Sequence, residues 1–375
     1  MQKKLLFFVT EDWYFCSHRL PIARAAKVSG YDVVVVTRVG SHGEAIIAEG
    51  FKLIPLGMSR RSKNPFRELL ALFEVIGIYW REKPDLVHHV ALKPVLYGSI
   101  AARLTGCNKI INAVAGLGFV FSSNTVLARV LRPVISFLFK LLFKNPNGFV
   151  IVQNSDDQKF LVSELSVEKA RVVLIQGSGV DIDKFHVTNE PGGVVTVALV
   201  SRMLWDKGVG EFMAAAELLR KKGISFKSLL VGKPDTENPG SISEAQLVAW
   251  NKQEAVDWVG YVSDIPRVWS ESHIAVLPSY REGVPKCLIE AAACSRAIVT
   301  TDVPGCREIV RDNENGLLVP ARDAKSLAEA LEKLIIDDGL RKKMGARGRQ
   351  LVENEFSEEI VVKQTLALYD ELMHG

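Results

Sequence analysis

Short apolar runs alternate with helical stretches along the whole chain, and this alternation limits the folds that its 375 residues can adopt. In the first half, strands are predicted at KKLLFFV, DVVVVT, FKLIPL, DLVHHV, KIINAVA, GFVIVQN and RVVLIQG. The pattern begins again with VVTVALVSR, FKSLLVG, AVDWVGYV, HIAVLPS and AIVTTD. Such alternation is typical of parallel sheets covered by helices on both faces. The sequence therefore predicts an α/β protein with two doubly wound, Rossmann-like domains.

A polar segment with Gly and Pro separates the two runs and predicts the domain boundaries. We expect an N-terminal domain at 1–180, a linker at 181–194 and a C-terminal domain at 195–356. The last stretch, 357–375, is predicted to be a helix that packs back on the N-terminal domain. A chain that is 48% hydrophobic can fill two cores of this size.

Two carboxylates, Glu282 and Glu290, have seven residues between them in SYREGVPKCLIEAAACSRAIVTT. HIAVLPS before them predicts a buried strand, and the run from Lys286 to Cys294 has helical apolar spacing. Glu282 is therefore expected in a loop at the carboxyl end of a strand, where open α/β sheets bind ligands. Glu290 would lie in the following helix. The alternative is a solvated loop acid and a partly exposed helix acid.

The loop between these carboxylates is suited to an anion. Gly283 lets a ligand approach the backbone, and Val284, Pro285 and Lys286 lead into a helix N-terminus, which attracts negative charge. A loop carboxylate, bare amides and a helix carboxylate match a sugar, a diphosphate and a ribose laid end to end.

The loop SRMLWDKGV follows the strand VVTVALV and places Arg202 and Lys207 beside another helix start. Two cations at such a position can clamp a diphosphate, although a loop cation is usually only solvated. Glycine turns at the same face could hold a nucleobase through their backbones, with Gly232, Tyr261 and Val262 as the candidate residues. Asp264 is predicted to cap the next helix.

The first half offers candidates for a second substrate near its own strand ends. They are His18, Arg19, His88, His89, Lys93, Gly116 and Gly118. Neighbours in a strand point to opposite faces, so only one of His88 and His89 can face a ligand unless the strand has ended. A histidine at a strand end is also often a structural hydrogen-bonding group.

Lys and Arg exceed Asp and Glu in the first 180 residues, and no carboxylate occurs from Leu86 to Ser155. This half should face an anionic surface, for which lipid headgroups fit better than nucleic acid, since no nucleic-acid motif is present. Residues 133–144 predict either a buried core helix or an interfacial helix. The basic residues that would face a membrane are Arg129, Arg132, Lys140 and Lys144. No window is long and apolar enough for a transmembrane helix.

Metal and disulfide chemistry are not predicted. Asp181 and Asp183 form an Asp-x-Asp pattern that can bind Mg²⁺ or Mn²⁺, but the pattern lies in the predicted linker, away from Glu282. The five cysteines have no metal-binding spacing and resemble reduced thiols of a cytosolic protein.

Several segments resemble family 4 retaining glycosyltransferases. EGVPKCLIE resembles their E-x(7)-E signature, SRMLWDKG their Arg and Lys phosphate clamp, and GSGVDIDKF their passage into the linker. The resemblance covers the chain and implies the GT-B fold, with two domains facing each other across a cleft. HRLPIA, SRRSKNPF, LKPVLYGSIAA and GLGFVF resemble bacterial members that extend polyprenyl-diphosphate sugars for capsule, O-antigen or N-linked glycans. The first loop departs from the family, having EDWYF where many members have a double glycine.

This resemblance implies a catalytic role for Glu282, Arg202 and Lys207. The two cations would neutralise the UDP leaving group, Glu282 would bind the donor sugar hydroxyls, and Glu290 the ribose. The expected co-substrate is a UDP-sugar, with UDP-N-acetylhexosamine as the first candidate and UDP-hexose as the second. Neither a cofactor nor a metal is expected.

The implied acceptor is a polyprenyl-diphosphate-linked saccharide, and the implied location is the cytoplasmic face of the plasma membrane. A UDP-sugar 2-epimerase of the same fold, or a catalytically silent scaffold, remains an alternative. A silent scaffold would be expected to lose at least one of the four charged donor-side residues.

Overall fold

The structure is a computed structural model that describes residues 2–58, 64–114, 116, 126–252 and 256–374. The chain forms two compact units. The first combines Met1–Ser178 with Glu359–Gly375, and the second is Gly179–Glu358. The chain therefore leaves the first unit once and returns to it at the end.

The first unit is built on a parallel sheet of seven strands in the described residues. These are β1 (Lys3–Glu11), β2 (Tyr31–Arg38), β3 (Lys52–Pro55), β4 (Leu86–Val90), β5 (Ile110–Val114), β6 (Gly148–Val152) and β7 (Val172–Leu174). Their order is β3-β2-β1-β4-β5-β6-β7. The strands are continuous apolar runs because both sheet faces are covered, as in other parallel sheets.

In the described residues, seven α-helices precede the point at which the chain passes into the second unit. These are α1 (Asp12–His18), α2 (Leu20–Val28), α3 (Gly43–Ala48), α4 (Pro65–Glu82), α5 (Leu92–Thr105), α6 (Val126–Leu142) and α7 (Ser155–Ser163). The predicted start of α4 is confirmed, since the Asn64 side chain accepts hydrogen bonds from the amides of Phe66 and Arg67.

The second unit contains a parallel sheet of six strands in the described residues. These are β8 (Thr196–Val200), β9 (Lys227–Val231), β10 (Asp257–Trp258), β11 (Ile274–Leu277), β12 (Ala297–Thr301) and β13 (Gly316–Val319). Their order is β10-β9-β8-β11-β12-β13. The strand β13, which is formed by GLLV, is missing from the sequence prediction.

The helices of the second unit cover both faces of this sheet. They are α8 (Val209–Lys221), α9 (Glu244–Lys252), α10 (Ile265–Ser270), α11 (Lys286–Ala293), α12 (Cys306–Ile309), α13 (Ala324–Ile336) and α14 (Asp338–Leu351). The predicted cap of α10 is confirmed, because the Asp264 carboxylate accepts a hydrogen bond from the amide of Arg267 at 3.2 Å. A π-helical turn at Val352–Phe356 then leads to α15 (Glu358–His374).

The helix α15 supplies part of the core of the first unit. Its residues Val361, Leu368, Tyr369 and Leu372 pack with β1 and with the buried face of α2. The opposite face of the sheet is covered by α4, α5 and α6. The first unit therefore takes its layers from two stretches of sequence that lie far apart.

The segment 181–194, which composition predicts as the linker, lies within the second compact unit and is held there by side chains of that unit. The guanidinium of Arg296 donates to the backbone oxygen and the hydroxyl of Thr188. Arg341 forms a buried ion pair with Glu190 at 2.8 Å, and a ring nitrogen of His273 bonds to the carbonyl oxygen of Pro191 at 2.9 Å. Buried side chains thus fasten this polar segment to the second unit.

The helix α6, for which a core or an interfacial helix is predicted at residues 133–144, is buried on one side and exposed on another. Phe139, Leu142 and Phe143 are buried in the core, as expected of a core helix. Val134, Phe137 and Leu141 are exposed on another side of the same helix. Within the described parts of the chain, no helix is both long and apolar enough to cross a membrane.

Gly345 lets α14 pack closely behind the turn that joins α11 to β12. A Cβ at this position would overlap the backbone carbonyl of Ser295, whereas a Cβ at Gly339 of the same helix meets only ordinary contacts. We predict that Gly345→Ala lowers the free energy of unfolding by about 1–3 kcal/mol, the usual cost of overpacking.

The matched control is Gly339→Ala, which should be neutral or stabilising, because Ala favours a helix over Gly by roughly 0.5–1 kcal/mol. Urea unfolding of both variants measures the difference. Equal midpoints for the two variants would contradict the close packing of α14.

Candidate functional site

The donor-side candidates gather where the strand order of the second sheet reverses. β8 is the first strand of this sheet, and its neighbours β9 and β11 continue the chain in opposite directions. The loop after β8 carries Arg202 and Lys207, and the loop after β11 carries Glu282. Ligands of open α/β sheets bind outside the carboxyl ends of strands at such a reversal.

A close approach of the backbone brings these two loops together. Gly208 has a φ of +73°, and a Cβ on it would overlap the carbonyl of Pro278, at the end of β11. The amide of Tyr280 donates to the carbonyl oxygen of Asp206 at 2.9 Å. Glycine is therefore needed at 208 both for its left-handed backbone and for lack of space.

Lys207 and Glu282 form an ion pair, with 2.5 Å between Nζ and Oε1. Only 17% of the lysine side chain and 10% of the glutamate side chain are exposed. Burial alone would lower the pKa of Lys207, but the charge and hydrogen bond of Glu282 outweigh it and raise that pKa. The ammonium group therefore stays charged in a partly dry site.

Arg202 also has a carboxylate partner, which sequence reasoning missed. Its Nη1 lies 2.6 Å from Oδ2 of Asp235, a residue of the loop after β9. Nothing in the spacing of VGKPDTENPG points to an arginine 33 positions earlier. Both predicted clamp cations are thus paired with carboxylates.

The glycine turns predicted to hold a nucleobase lie beside the loop that carries Arg202. The amide of Gly232 donates to the carbonyl oxygen of Gly260 at 2.7 Å, joining the loops after β9 and β10. Tyr261 is largely exposed, with the ammonium of Lys233 5.5 Å from its ring centroid. Val262 follows it and is half-buried.

The helix α11 follows the Glu282 loop directly. Gly283, Val284 and Pro285 lead into it, no side chain caps its first turn, and no acidic residue lies there. Its amino end therefore keeps the positive end of the helix dipole available to an anion. Lys286 adds a charge at the first helical position.

Glu290 lies further along the same helix, and its carboxyl group is more strongly affected by burial than by neighbouring charges. Burial raises the pKa of Glu290 from an ordinary 4.5 to about 7, although the charges of Lys286 and Lys184 oppose the shift. Without a ligand, this carboxyl is thus only partly ionised near neutral pH.

The two strand histidines, His88 and His89, lie inside β4 and are buried. His88 bonds through Nδ1 to the hydroxyl of Tyr369 at 2.6 Å. His89 bonds to the hydroxyl of Tyr79 at 2.9 Å and to Oδ1 of Asn112 at 2.7 Å. Burial lowers the pKa of both histidines, so they are neutral structural groups of the core.

The remaining acceptor-side candidates have mixed surroundings. Arg19 is buried, with Nη1 donating to the carbonyl oxygen of His18 at 3.2 Å, and the ring of His18 stacks on Tyr14. Lys93 pairs with Glu68 at 2.9 Å, a contact that the sequence did not indicate. Gly116 is half-buried just after β5, and Gly118 lies outside the described residues.

A buried carboxylate organises the first loop, in which EDWYF replaces the double glycine. Asp12 accepts hydrogen bonds from the amides of Trp13, Gly40 and His42 at 2.6–2.9 Å. It thereby ties the start of α1 to the loop after β2. In the structure, EDWYF spans the last residue of β1 and the first turn of α1.

The basic residues predicted to face a membrane lie on or just beyond α6. Arg129, Lys140 and Lys144 are exposed, and Arg132 is half-buried. They accompany the exposed apolar side chains of this helix.

The side chain of Asp181 forms hydrogen bonds with the backbone of the residues that follow it. Its Oδ1 accepts hydrogen bonds from the amides of Asp183 and Lys184 at 3.0 and 2.9 Å. In the described residues, no three His, Cys, Asp or Glu side chains cluster as metal ligands would. All five cysteines are free.

We predict that Glu290→Gln removes a pH-dependent loss of stability. The folded chain holds the Glu290 proton up to about pH 7, whereas the unfolded chain releases it near 4.5. The free energy of unfolding should therefore fall as pH rises through this window, by on the order of 2 kcal/mol.

Urea unfolding at about pH 5 and about pH 8 measures the effect in the wild type and in the variant. The wild type should lose more stability than Glu290→Gln between the two pH values. Equal losses would show that Glu290 ionises normally.

Comparison with known families matches both halves of the chain. The family described as "Glycosyl transferases group 1" matches residues 194–337, which include Arg202, Lys207, Glu282 and Glu290. The family described as "Glycosyl transferase 4-like" matches residues 4–154.

Two relatives and one solved structure extend this similarity over nearly the whole chain. The N,N'-diacetylbacillosaminyl-diphospho-undecaprenol alpha-1,3-N-acetylgalactosaminyltransferase of Campylobacter jejuni is 30% identical, over 95% of each chain. The capsular polysaccharide biosynthesis glycosyltransferase CapM of Staphylococcus aureus is 29% identical, over 94% of each chain. The Anabaena protein HepE in complex with UDP and glucose has a TM-score of 0.78 at 16% identity, over 99% of this chain and 100% of its own.

The solved structure confirms the predicted α/β fold of the GT-B glycosyltransferases, and the first relative confirms the resemblance to bacterial enzymes that act on polyprenyl-diphosphate sugars. With a site at the strand-order reversal and a relative 30% identical along its length, the chain belongs to the group 1, family 4-like glycosyltransferases.

Proposed function

We propose that this protein is a retaining glycosyltransferase that moves an N-acetylhexosamine from a UDP-sugar to a saccharide linked to polyprenyl diphosphate. The observation that carries the proposal is the grouping of Arg202, Lys207 and Glu282 on two loops at the strand-order reversal. The named activity of the Campylobacter relative supports the acceptor and the type of sugar. UDP in the HepE complex supports the nucleotide.

In this proposal the cations bind the leaving diphosphate. Lys207 lies in a partly dry site, where its attraction to a phosphate is weakly screened. Arg202 offers further donors in a planar arrangement suited to phosphate oxygens. With the amino end of α11 they can balance the diphosphate, so we propose that no metal takes part.

The carboxylates would position the donor. Glu282 can accept hydrogen bonds from sugar hydroxyls while it holds Lys207, because an ionised carboxylate has about four acceptor sites. Glu290 would accept from the ribose hydroxyls. Gly232, Tyr261 and Val262 would surround the base.

The transfer step itself would depend on positioning and charge stabilisation. We propose that the acceptor hydroxyl attacks from the face that the diphosphate leaves, and that the departing diphosphate takes the acceptor proton. The C1–O bond to UDP breaks, the C1–O bond to the acceptor forms on the same face, and UDP leaves with the charge held by Lys207 and Arg202.

Neither alternative activity gains support from the site. A silent scaffold has no need to keep the four charged residues, yet all four are present and two form the buried ion pair. The epimerase alternative is not favoured, since the similar curated proteins are sugar transferases.

We also propose that the first unit binds an anionic membrane surface. Exposed apolar side chains occur on α6, at Val134, Phe137 and Leu141, and on α4, and both helices pack against α5. Those of α4 are Phe66, Leu69, Leu70, Phe73 and Trp80. Several large apolar side chains exposed on one helix can mark an interaction site, and the exposed lysines of α6 and the residues just after it suit anionic headgroups.

We predict that Lys207→Ala and Glu282→Ala each abolish sugar transfer. Losing one group of the clamp should cost on the order of 2–4 kcal/mol in the transition state, roughly a 30- to 1000-fold loss of rate. The assay is UDP release from UDP-N-acetylhexosamines and UDP-hexoses in EDTA, with and without a short polyprenyl-diphosphate sugar.

The matched control is Lys222→Ala, which breaks an ion pair with Glu332 elsewhere in the second unit. It should transfer sugar like the wild type, and thermal unfolding should show all three variants folded. Near-normal transfer by Lys207→Ala would refute the donor site, and activity that returns only with Mg²⁺ or Mn²⁺ would refute the metal-free proposal.

We predict that changing Lys140 and Lys144 together to Glu weakens binding to phosphatidylglycerol liposomes well beyond tenfold. Each basic residue near an anionic surface contributes about 1 kcal/mol, and the new charges repel it. Both lysines are exposed, so the core of the unit should remain intact. Transfer to a water-soluble acceptor should persist while transfer to a long-chain lipid acceptor falls.

Lys325 and Lys343, two exposed lysines of the second unit, give a control with the same charge change when both become Glu. This control should bind liposomes normally, and binding by the wild type should weaken as salt rises. Wild-type protein that ignores these liposomes at low salt would show that α6 has no membrane role.

A further inference from the structure

The ion pair between Arg202 and Asp235 involves a residue for which the proposed activity has no role so far. We propose that Asp235 is a positioning residue, which fixes the guanidinium of Arg202 in the orientation that receives the diphosphate of the nucleotide sugar. This inference rests on the proposed function, because it assumes that Arg202 binds the diphosphate.

Asp235 is itself held in place by its own loop. Its amide donates to the hydroxyl of Ser241 at 2.9 Å, and its Oδ1 accepts from the amide of Glu237 at 3.2 Å. Its side chain is only 15% exposed. The second oxygen, Oδ2, is the one that meets Arg202. A carboxylate fixed in this way provides a defined anchor.

The loop of Asp235 is also joined to the loop of Arg202. The amide of Met203 donates to the carbonyl oxygen of Lys233 at 3.1 Å. The amide of Ile242 donates to the carbonyl oxygen of Met203 at 2.9 Å. The amide of Trp205 donates to the carbonyl oxygen of Gly240, also at 2.9 Å. Three backbone hydrogen bonds therefore join the two loops and hold the anchor in place relative to Arg202.

The contact leaves most of the guanidinium for a ligand. Asp235 uses Nη1 through one oxygen, at 2.6 Å, whereas a guanidinium has five N–H donors. The Arg202 side chain is 41% exposed, so without an anchor it would sample many rotamers. Fixing a long side chain before binding removes an ordering cost that would otherwise weaken ligand binding.

A competing role for Asp235 predicts the opposite result. If the carboxylate displaced the diphosphate from Arg202, its removal would free the cation and strengthen nucleotide binding. The single contact favours an anchor, because phosphate and carboxylate can occupy different edges of one guanidinium.

The test measures UDP binding by titration calorimetry and sugar transfer by initial rates, in the full chain. Asp235→Ala should weaken UDP binding about fivefold and raise the KM for the donor similarly, the expected effect of losing one pre-ordered side chain. Asp235→Asn keeps an oxygen for Nη1 and should bind UDP within about twofold of the wild type. Glu244→Gln, an exposed acid of the neighbouring α9, is the charge control and should behave like the wild type.

A double-mutant cycle separates positioning from general loop damage. In the Arg202→Ala background, Asp235→Ala should cause no further loss of UDP binding, since its effect passes through the guanidinium. Unchanged or tighter UDP binding by Asp235→Ala, or an equal loss in both backgrounds, would overturn the inference. Normal UDP binding by Arg202→Ala would instead show that the proposed donor site is wrong, and the inference would fall with it.

Discussion

The contact between the loops after β8 and β11 is the constraint on which the site depends. Gly208 lies against the carbonyl of Pro278, and this packing leaves Lys207 beside Glu282 at 2.5 Å. Neither charge would be tolerated alone at this burial, because an unpaired buried charge is costly. The pairing therefore stabilises both charges and keeps the Lys207 ammonium charged in a place from which water is partly excluded. At the more exposed edge of the site, Asp235 forms the ion pair that fixes the charge of Arg202 in place.

Sequence reasoning predicted the α/β fold and the position of Glu282 and Lys207 in loops at strand ends because both follow from local patterns. Apolar runs predict buried parallel strands, and Glu282 and Lys207 each follow such a run directly. It missed β13, which is formed by GLLV. It also missed Asp235 and Glu68, whose partners lie 33 and 25 positions away, because ion pairs between separate elements of the fold have no periodicity in the sequence. His88 and His89 show a different limit, since composition could not show that Tyr369 bonds to one ring nitrogen of His88, or Tyr79 to one of His89, inside the core.

The segment 181–194 illustrates how composition can mislead. Gly, Pro and polar residues are typical of flexible linkers, but here they belong to a segment that side-chain contacts hold against the second unit. The groups that hold it, Arg296, Arg341 and His273, come from distant parts of the second unit. The change of unit occurs instead at Ser178 and Gly179, and the return at Glu358 and Glu359. These crossings lie side by side, since the amide of Glu358 donates to the carbonyl oxygen of Val180 at 2.9 Å.

The late return of the chain has a consequence for its folding during synthesis. Val361, Leu368 and Tyr369 complete the core around β1, yet they are synthesised only after the whole second unit. Domains usually fold in the order in which they are made. Here the second unit can complete its core while the first still has an open apolar face and an unsatisfied His88. We expect nascent chains that stop before α15 to be those most in need of chaperones, and C-terminal truncation to damage the half of the protein that is made first.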